Sequence, residues 1–584
     1  MTPEEDRSFA DRVCRFDAHS FSGMERFTRI GNGSLGAKAR GLAGIMMTIE
    51  KKIAPTFKPA IEIEIPRLTV IATEYFDIFI EQNGLFKTIS SAESDAHIAR
   101  AFQQAELPTS LVNDLRAFIT KVRVPLAIRS SSLLEDDMHE PFAGVYATRM
   151  LPNNLPDAEE RLKAIVGAVK YIYASTFLAK AKDYLRLTNH SSDDEKMAII
   201  IQETVGIGRH NRFYPQISGV ARSFNFYPIG LARPEEGVME LALGLGKIIV
   251  DDGLAWSVSP AYPHTNPPYN TLNDLLKQSQ NEFWAIDMAS PGKEGRNGGI
   301  EYLRKYSLAE AEEDSSLTFV ASTFKTEDAT VVRGITGTGP RIVDFAQILK
   351  GNLIPLTAAV KELLRACEES LGTMVEIEFA LAFPRPEPCP ARFGFLQVRP
   401  MNVSHTQVEV TVEEFDRGNV LVASESALGN GMIDSIRDIV FVKPDSFETK
   451  YTQEIAQELE TINRNLATTQ CPYVLIGFGR WGSSDPSTGI PVNFGQISNA
   501  KVIIEATLPD MNYILSQGSH FFHNLTSFKV LYFSVGHTGR FTVDWDWLGR
   551  QPAKTEMKFI RHVRLPLPLY IKVDGRSSRG VIFR

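Results

Sequence analysis

Two short stretches, Met374-Val-Glu-Ile-Glu-Phe-Ala380 and Phe395-Leu-Gln-Val-Arg-Pro-Met401, decide how most of this chain is read. Each alternates like a strand. Side chains on a strand repeat every second residue, so Glu376 and Glu378 share a face, as do Gln397 and Arg399. The intervening Pro384-Arg-Pro-Glu-Pro-Cys-Pro390 extends neither strand, because proline lacks the ladder donor. A hairpin-like return therefore sets two carboxylates beside an amide and a guanidinium. Paired carboxylates on a rigid strand suit Mg²⁺, which takes oxygen ligands and shares them with nucleotide phosphates. The plainer alternative is a solvated strand face with a cross-strand Glu–Arg pair. The rest of the chain has to choose between them.

At 584 residues the chain is expected to form about three to five structural units. A net charge of -8 with no strongly basic block argues against nucleic acid as a partner. It leaves room for ATP, whose phosphates need only a local Lys/Arg cluster. The four cysteines, Cys14, Cys367, Cys389 and Cys471, are far apart and show no CxxC spacing, so neither a disulfide framework nor a zinc site is expected. The acidic start Met1-Thr-Pro-Glu-Glu-Asp6 lacks the basic and apolar regions of a signal peptide. No unbroken apolar run of about eighteen residues or more stands out. A cytoplasmic protein without a membrane span is the expectation.

Working outward, Leu42, Ile45, Met46 and Ile49 recur with helical spacing. Ile61–Ala72 alternates like a strand, and helical patterns follow to about Lys121. Val124-Pro-Leu-Ala-Ile-Arg129 reads as a strand that delivers an arginine and three hydroxyls, Ser130–Ser132, into a loop. Glu159–Arg186 reads as a helix. Met197–Ile201 is an apolar run suited to a strand buried on both faces. Residues 262–299, rich in Pro, Asn, Gln and Gly, are expected to be an insertion or surface loop. Leu356–Leu371 is helical. After Met401 the polar Asn402–Gln407 marks a boundary, followed by a separate α/β unit with a helix near Thr452–Leu466 and strands near Tyr473–Phe478 and Lys529–Val535.

Three further constellations carry chemistry. In Gly31-Asn-Gly-Ser-Leu-Gly-Ala-Lys38, glycines let the backbone approach an anion, and the helix that follows adds donors and a favourable dipole. Lys38 in its first turns could reach a phosphate; a turn with a solvated lysine is the alternative. The loop lacks the Gly-Lys-[Ser/Thr] ending of a Walker motif. Arg129 with Ser130–Ser132, then Glu135, Asp136 and Pro141-Phe-Ala-Gly144, resembles a phosphate cradle with a mobile tip, or else a serine N-cap. Gln202 and Glu203, at the end of the buried Met197 strand, can read an adenine edge, or simply end a strand. Gly244-Leu-Gly246 lacks the third glycine of a dinucleotide fingerprint.

In this order the motifs resemble the N-terminal ATP-binding domain of phosphoenolpyruvate synthase and pyruvate phosphate dikinase. The resemblance rests on Leu35-Gly-Ala-Lys38, Ile128-Arg-Ser-Ser131, Phe142-Ala-Gly144, Met197–Gln202, Ser218-Gly-Val-Ala221, Gly244-Leu-Gly246, Val375-Glu-Ile-Glu-Phe379 and Leu396-Gln-Val-Arg-Pro400. It covers about residues 20–404. It implies an α/β (α+β) ATP-grasp nucleotide-binding domain, here followed by a smaller α/β C-terminal domain over 405–584. It further implies that Lys38 and Arg129 hold the nucleotide phosphates and that Gln202 and Glu203 face adenine. Glu376 and Glu378 would bind Mg²⁺ or line the ribose and metal shell, and Gln397 and Arg399 would position the phosphates in transfer. The departures are Lys247 where relatives often carry Glu, Arg222 and Ser223 after Ser218-Gly-Val, and Glu376 in place of Asp.

Beyond Met401 the resemblance ends. The swivelling domain's Gly-Gly-x-x-Ser-His-Ala signature is not found, and the remaining length falls short of that domain plus a barrel of roughly 200 residues or more. A complete pyruvate-to-phosphoenolpyruvate reaction is therefore not expected. Within Ser516-Gln-Gly-Ser-His520-Phe-Phe-His523, His520 is a candidate phosphoryl acceptor, since imidazole is a competent nucleophile; a structural turn is the alternative. The leading expectation is a dikinase-type phosphotransferase that passes phosphate from MgATP to a histidine, a partner protein or a small molecule. The alternatives are a nucleotide-binding regulatory module without catalysis, and a small-molecule or glycan kinase with a cleft around Trp481.

Overall fold

The computed structural model describes residues 13–584 apart from 92–93, 136–144, 188–194, 226–230, 251–253, 266–274, 277–278, 290–291, 295–299, 329, 385–389, 402–407, 470, 484–488, 493, 510, 512–529, 538–540 and 576. Several expectations lie outside the described residues: the Phe142-Ala-Gly144 tip, most of the proline-rich return, the polar stretch Asn402–Gln407, and both tail histidines, His520 and His523. The chain divides near Met401 into two compact units.

Two six-stranded sheets organise the first unit. One has the order Cys14–Arg15, Phe27–Ile30, Leu68–Ile71, Met197–Glu203, Leu126–Ser132, Thr148–Leu151. Met197–Glu203 is buried along its whole length and antiparallel to both neighbours. That explains its unbroken apolar run. The other has the order Trp256–Val258, Val238–Ala242, Ile217–Arg222, Val375–Ala382, Ala391–Pro400, Ile61–Glu64. Helix Gly36–Thr48 packs on strands of both sheets. Its Ala39, Leu42 and Ile45 join Val70, Ile200, Ile377, Phe395 and Val398 in one core, so the two sheets are fixed relative to each other through that helix. Helix Leu356–Leu371 ends at Gly372 in the left-handed region and packs on Val375–Ala382.

Four local expectations change. Ile61–Ala72 is two strands, Ile61–Glu64 and Leu68–Ile71, in different sheets; Pro66 sits between them, and proline cannot carry a ladder across. Ser130–Ser132 do not form a loop. They complete the Leu126–Ser132 strand and pair with Met197–Ile199. The Glu159–Arg186 segment is two helices, Ala158–Ser175 and Ala179–Leu187. By length and composition Ala158–Lys182 could cross a bilayer, but 67% of its most apolar window is buried inside the fold, which is where its hydrophobicity is used. Within 262–299, Glu282–Asp287 is a strand between Leu303–Ser307 and Arg212–Tyr214, with Phe283 and Ala285 alternating into the core.

The second unit is built on a seven-stranded sheet. Its order is Ala427–Leu428, Leu531–Val535, Ala500–Ala506, Tyr473–Phe478, Asp438–Val442, Ile560–Arg564, Ala553–Glu556. The four strands from Leu531–Val535 to Asp438–Val442 run parallel. Helix Thr452–Thr468 buries Ile455, Leu459 and Ile462 on one face. On the other face, Leu421, Val422, Ile571 and Ile582 of a four-stranded sheet share a core with Ile476 and Ile504. Trp481 is a core side chain, 2% exposed, and its indole donates to the Ile504 carbonyl at 3.2 Å. A Cβ on Gly477 would meet that ring at 2.3 Å. Trp481 is therefore not the wall of an open carbohydrate cleft.

Candidate nucleotide-binding site

The two stretches that open the sequence reading are antiparallel neighbours. Glu376 pairs in register with Arg399, and Glu378 with Gln397. On the other side, the Ile217–Arg222 strand places Arg222 opposite Glu376, and the next strand places Glu240 opposite Val220. Directly opposed residues share a face, so one face of the second sheet carries Glu240, Arg222, Glu376, Arg399, Glu378 and Gln397. The first four form a row of alternating sign across four strands. Arg222 Nη1 donates to Glu240 Oε2 at 2.7 Å and Arg222 Nε to Glu376 Oε2 at 2.6 Å, while Arg399 closes on Glu376 Oε1. Burial pushes the Glu240 carboxyl up despite its guanidinium partner. For Arg222 the two carboxylates outweigh burial and raise it.

Arg129 links the sheets. From the first sheet its Nη2 donates to Glu378 Oε2 at 2.9 Å and to Gln397 Oε1 at 2.6 Å, and its Nη1 donates to the Leu396 carbonyl at 3.2 Å. Leu396 is the extra residue of a β-bulge between the Phe379–Phe395 and Glu378–Gln397 pairs, a device that re-aims backbone and side chains locally. Burial acts to raise the Glu378 carboxyl, but Arg129 and Arg399 together outweigh it and hold it below the usual carboxylate range. Glu378 remains 23% exposed and makes its ion pair through Oε2, whereas Glu376 is 2% exposed with both oxygens engaged by arginines.

The glycine loop meets the end of the serine strand. Gly36 has φ +74°, and a Cβ there would lie 1.7 Å from the Ser131 carbonyl, so only glycine lets the helix start this close to the strand. Ser131 Oγ accepts from the Ala39 amide and donates to the Leu35 carbonyl. Thr73 Oγ1 and Glu74 Oε2 accept from the amides of Ser34 and Asn32. The anion cradle expected of this loop is thus filled, at these three amides, by the protein's own side chains. Lys38 does reach the strand end, where its ammonium lies against Glu135 and 3.4 Å from Ser130 Oγ.

Gln202 stands opposite Ala127, two positions along from the Arg129–Ile200 pair, and so on the Arg129 face. It is 1% exposed, and its side-chain Nε2 has no hydrogen-bond partner. Arg399 Nε is likewise buried and unpartnered. Unpaired buried donors are rare because each forfeits its hydration, so both fit a ligand with acceptor atoms. Glu203 falls on the opposite face of its strand and pairs with Arg67 at 2.9 Å. Burial raises its carboxyl despite that arginine. Geometry therefore gathers Arg129, Gln202, Glu376, Glu378, Gln397 and Arg399 about the facing sheets, with Lys38 at the serine-strand end. It leaves Glu203 apart, and His520 lies outside the described residues. Among the described residues no three His, Cys, Asp or Glu side chains converge as a metal cage.

Sequence reasoning missed Arg222 and Glu240 as members of these networks, and it did not pair Glu135 with Lys38. Arg222 was visible only as a departure in the Ser218-Gly-Val-Ala221 motif. Its carboxylate partner is 154 positions away, and only strand pairing reveals it. A further buried acid, Glu195, lies near Glu135. Burial pushes its carboxyl up to about 8, aided by the Glu135 charge, while the nearby hydroxyls of Ser132 and Tyr146 act the other way. The folded state then keeps a proton that the unfolded chain releases. Its contribution to stability is full below the usual carboxylate range and is lost as pH rises toward 8, by up to about 1.4 kcal/mol per pH unit. Glu195→Gln is expected to flatten that slope and to raise the melting temperature at pH 8. A variant whose melting temperature follows the wild-type pH profile would assign the slope to other groups.

Two sheets held by a central helix, with an arginine of one bonded to a Glu/Gln pair of the other, are the mixed α/β arrangement expected of an ATP-grasp nucleotide-binding domain. The chain belongs to the family of the pyruvate phosphate dikinase AMP/ATP-binding domain, which matches residues 32–419. It therefore carries an ATP-binding domain of the dikinase class. No curated protein matches the chain.

Proposed function

We propose that residues 20–404 form the domain that holds MgATP and that the chain is a dikinase-type phosphotransferase, with residues 405–584 as a C-terminal domain serving the acceptor side. The observation that carries the reading is the Arg129 bridge to Glu378 and Gln397, with the unpartnered donor of Gln202 on the same face. Lys38, Arg129 and Arg399 would neutralise phosphate oxygens, and Gln397 would orient them. Gln202 would face the adenine edge. Glu378 has the more exposed carboxylate of the acid pair and would hold Mg²⁺. Phosphoryl transfer is mostly positioning and charge neutralisation, so these groups suffice for the nucleotide half of the reaction. The acceptor is a histidine, His520 first among the candidates, or a group on a partner protein or small molecule in the cytoplasm.

The test is incubation of the full chain with Mg²⁺ and ATP labelled separately at the β- and γ-phosphates. Acid-labile label on the protein, lost in His520→Ala, is the expected result. Neither protein-bound label nor nucleotide turnover, with and without candidate acceptors, would remove the catalytic part of the proposal.

A further inference from the structure

Lys38 is held at both ends. Its backbone lies in the first turn of helix Gly36–Thr48, where Ser131 Oγ accepts from the Ala39 amide and donates to the Leu35 carbonyl. Its ammonium contacts Glu135 Oε1 and lies 3.4 Å from Ser130 Oγ. Ser130 Oγ in turn donates to Glu135 Oε1 at 2.9 Å, and the Ser132 amide donates to Glu135 Oε2 at 3.3 Å. The Glu135 side chain is 2% exposed and that of Lys38 is 12% exposed. We propose that Glu135 is the positioning residue for Lys38: it fixes the ammonium at the end of the serine strand and keeps it from pairing with Glu378. The proposal rests on the ATP-binding reading of the facing sheets and deepens it by naming the group that sets the phosphate-binding lysine.

A lysine ammonium carries three donors. Among the described residues Glu135 and Ser130 take two of them, so one is left for a phosphate oxygen without either contact being broken. The lysine stem is flexible, and ordering it before the ligand arrives lowers the cost of binding. Glu135 suits that role because both of its oxygens are fixed by residues of the serine strand, so it cannot follow the ammonium outward. Two other acids bear on the same charge. Glu195 lies near Glu135, but burial pushes its carboxyl up to about 8, so at neutral pH it is protonated and does not compete for Lys38. Glu378 is ionised, and Lys38 is among the cations that hold its carboxyl down, after Arg129 and Arg399. Without Glu135, Glu378 is the charged acid left to draw the ammonium, and that pairing would have to break before MgATP could use either group. Removing Glu135 also removes a negative charge, but one that is buried and already compensated by Lys38, so the lost positioning outweighs that gain.

The experiment measures ATP affinity in the presence of Mg²⁺ by equilibrium dialysis on the full chain. It compares the wild type, Glu135→Gln, Lys38→Met and the double variant, each checked by a thermal melt. Glu135→Gln is expected to weaken ATP binding at least tenfold. In the Lys38→Met background the same substitution is expected to change affinity less than threefold, because Glu135 acts through Lys38. A merely structural contribution would cost the same in both backgrounds. An affinity of folded Glu135→Gln within threefold of wild type, or an equal loss in both backgrounds, would overturn the proposal. Should Glu135→Gln or Lys38→Met fail to fold, Ser130→Ala decides. It keeps the ion pair and removes the hydroxyl that bridges it, and is expected to weaken ATP binding at least threefold; an unchanged affinity would overturn the proposal. A wild type that binds no ATP would instead overturn the ATP-site reading on which the proposal rests.

Discussion

Arg129→Ala is expected to weaken ATP binding by at least about 100-fold. Arg129 bonds from the first sheet to Glu378, Gln397 and the Leu396 carbonyl of the second. Its loss removes a fixed fork for phosphate oxygens and also the tie that sets Gln397. Hydrogen bonds to charged groups contribute about 1.5–3 kcal/mol each, and about 2.7 kcal/mol is a hundredfold in affinity. Because Glu378 keeps access to water, its loss of a partner should cost the fold only about 1–2 kcal/mol. Calorimetric ATP titration beside a thermal melt separates the two effects. An affinity within threefold of wild type, on a folded variant, would take Arg129 out of the site.

Glu376→Ala should have the larger effect on stability. The substitution leaves the buried guanidiniums of Arg222 and Arg399 facing each other without the carboxylate they share. Removing one partner of a buried ion pair costs about 3–5 kcal/mol, a large part of the margin by which a domain is stable. Urea unfolding followed on the first unit is the measurement. Glu378→Ala, at a position that stays partly exposed, should lose clearly less. If the two variants were equally stable, the row from Glu240 to Arg399 would not be the structural element its geometry describes.

The legible parts of the sequence were those governed by local periodicity. The period-two spacing of Glu376/Glu378 and Gln397/Arg399 specified the shared faces, and strand pairing joined them as opposed pairs. Helix Leu356–Leu371 was plain from its helical periodicity, and the structure ends it at Gly372. The errors arose where distant segments override local chemistry. Three serines after Arg129 looked like a polar loop, but Ser131 satisfies its hydroxyl with the Ala39 amide and the Leu35 carbonyl of a helix start far away in sequence. Trp481, with Gly482 beside it, entered only as the centre of a cleft in the glycan-kinase alternative. The glycine at 477 instead makes room for its ring in the core. Glu203, next to Gln202, was grouped with it by adjacency, although strand alternation sends the two to opposite faces, and Arg67 takes up Glu203.

The charged wall also shows why motif order outperformed any single motif. The glycine loop alone would suggest an anion cradle, yet Thr73 and Glu74 occupy the amides of Ser34 and Asn32. The Arg129 bridge exists only when two sheets built from segments 268 positions apart come together. That long-range closure is what sets the Arg129 guanidinium against Glu378 and Gln397.

The most direct test is a crystal structure of the full chain with a non-hydrolysable ATP analogue and Mg²⁺. The account predicts phosphate oxygens within hydrogen-bonding distance of Lys38 and Arg129, the adenine edge beside Gln202, and the metal on Glu378 with Glu376 still held between Arg222 and Arg399. A nucleotide bound away from these side chains, with Arg129 still closed on Glu378 and Gln397, would contradict it.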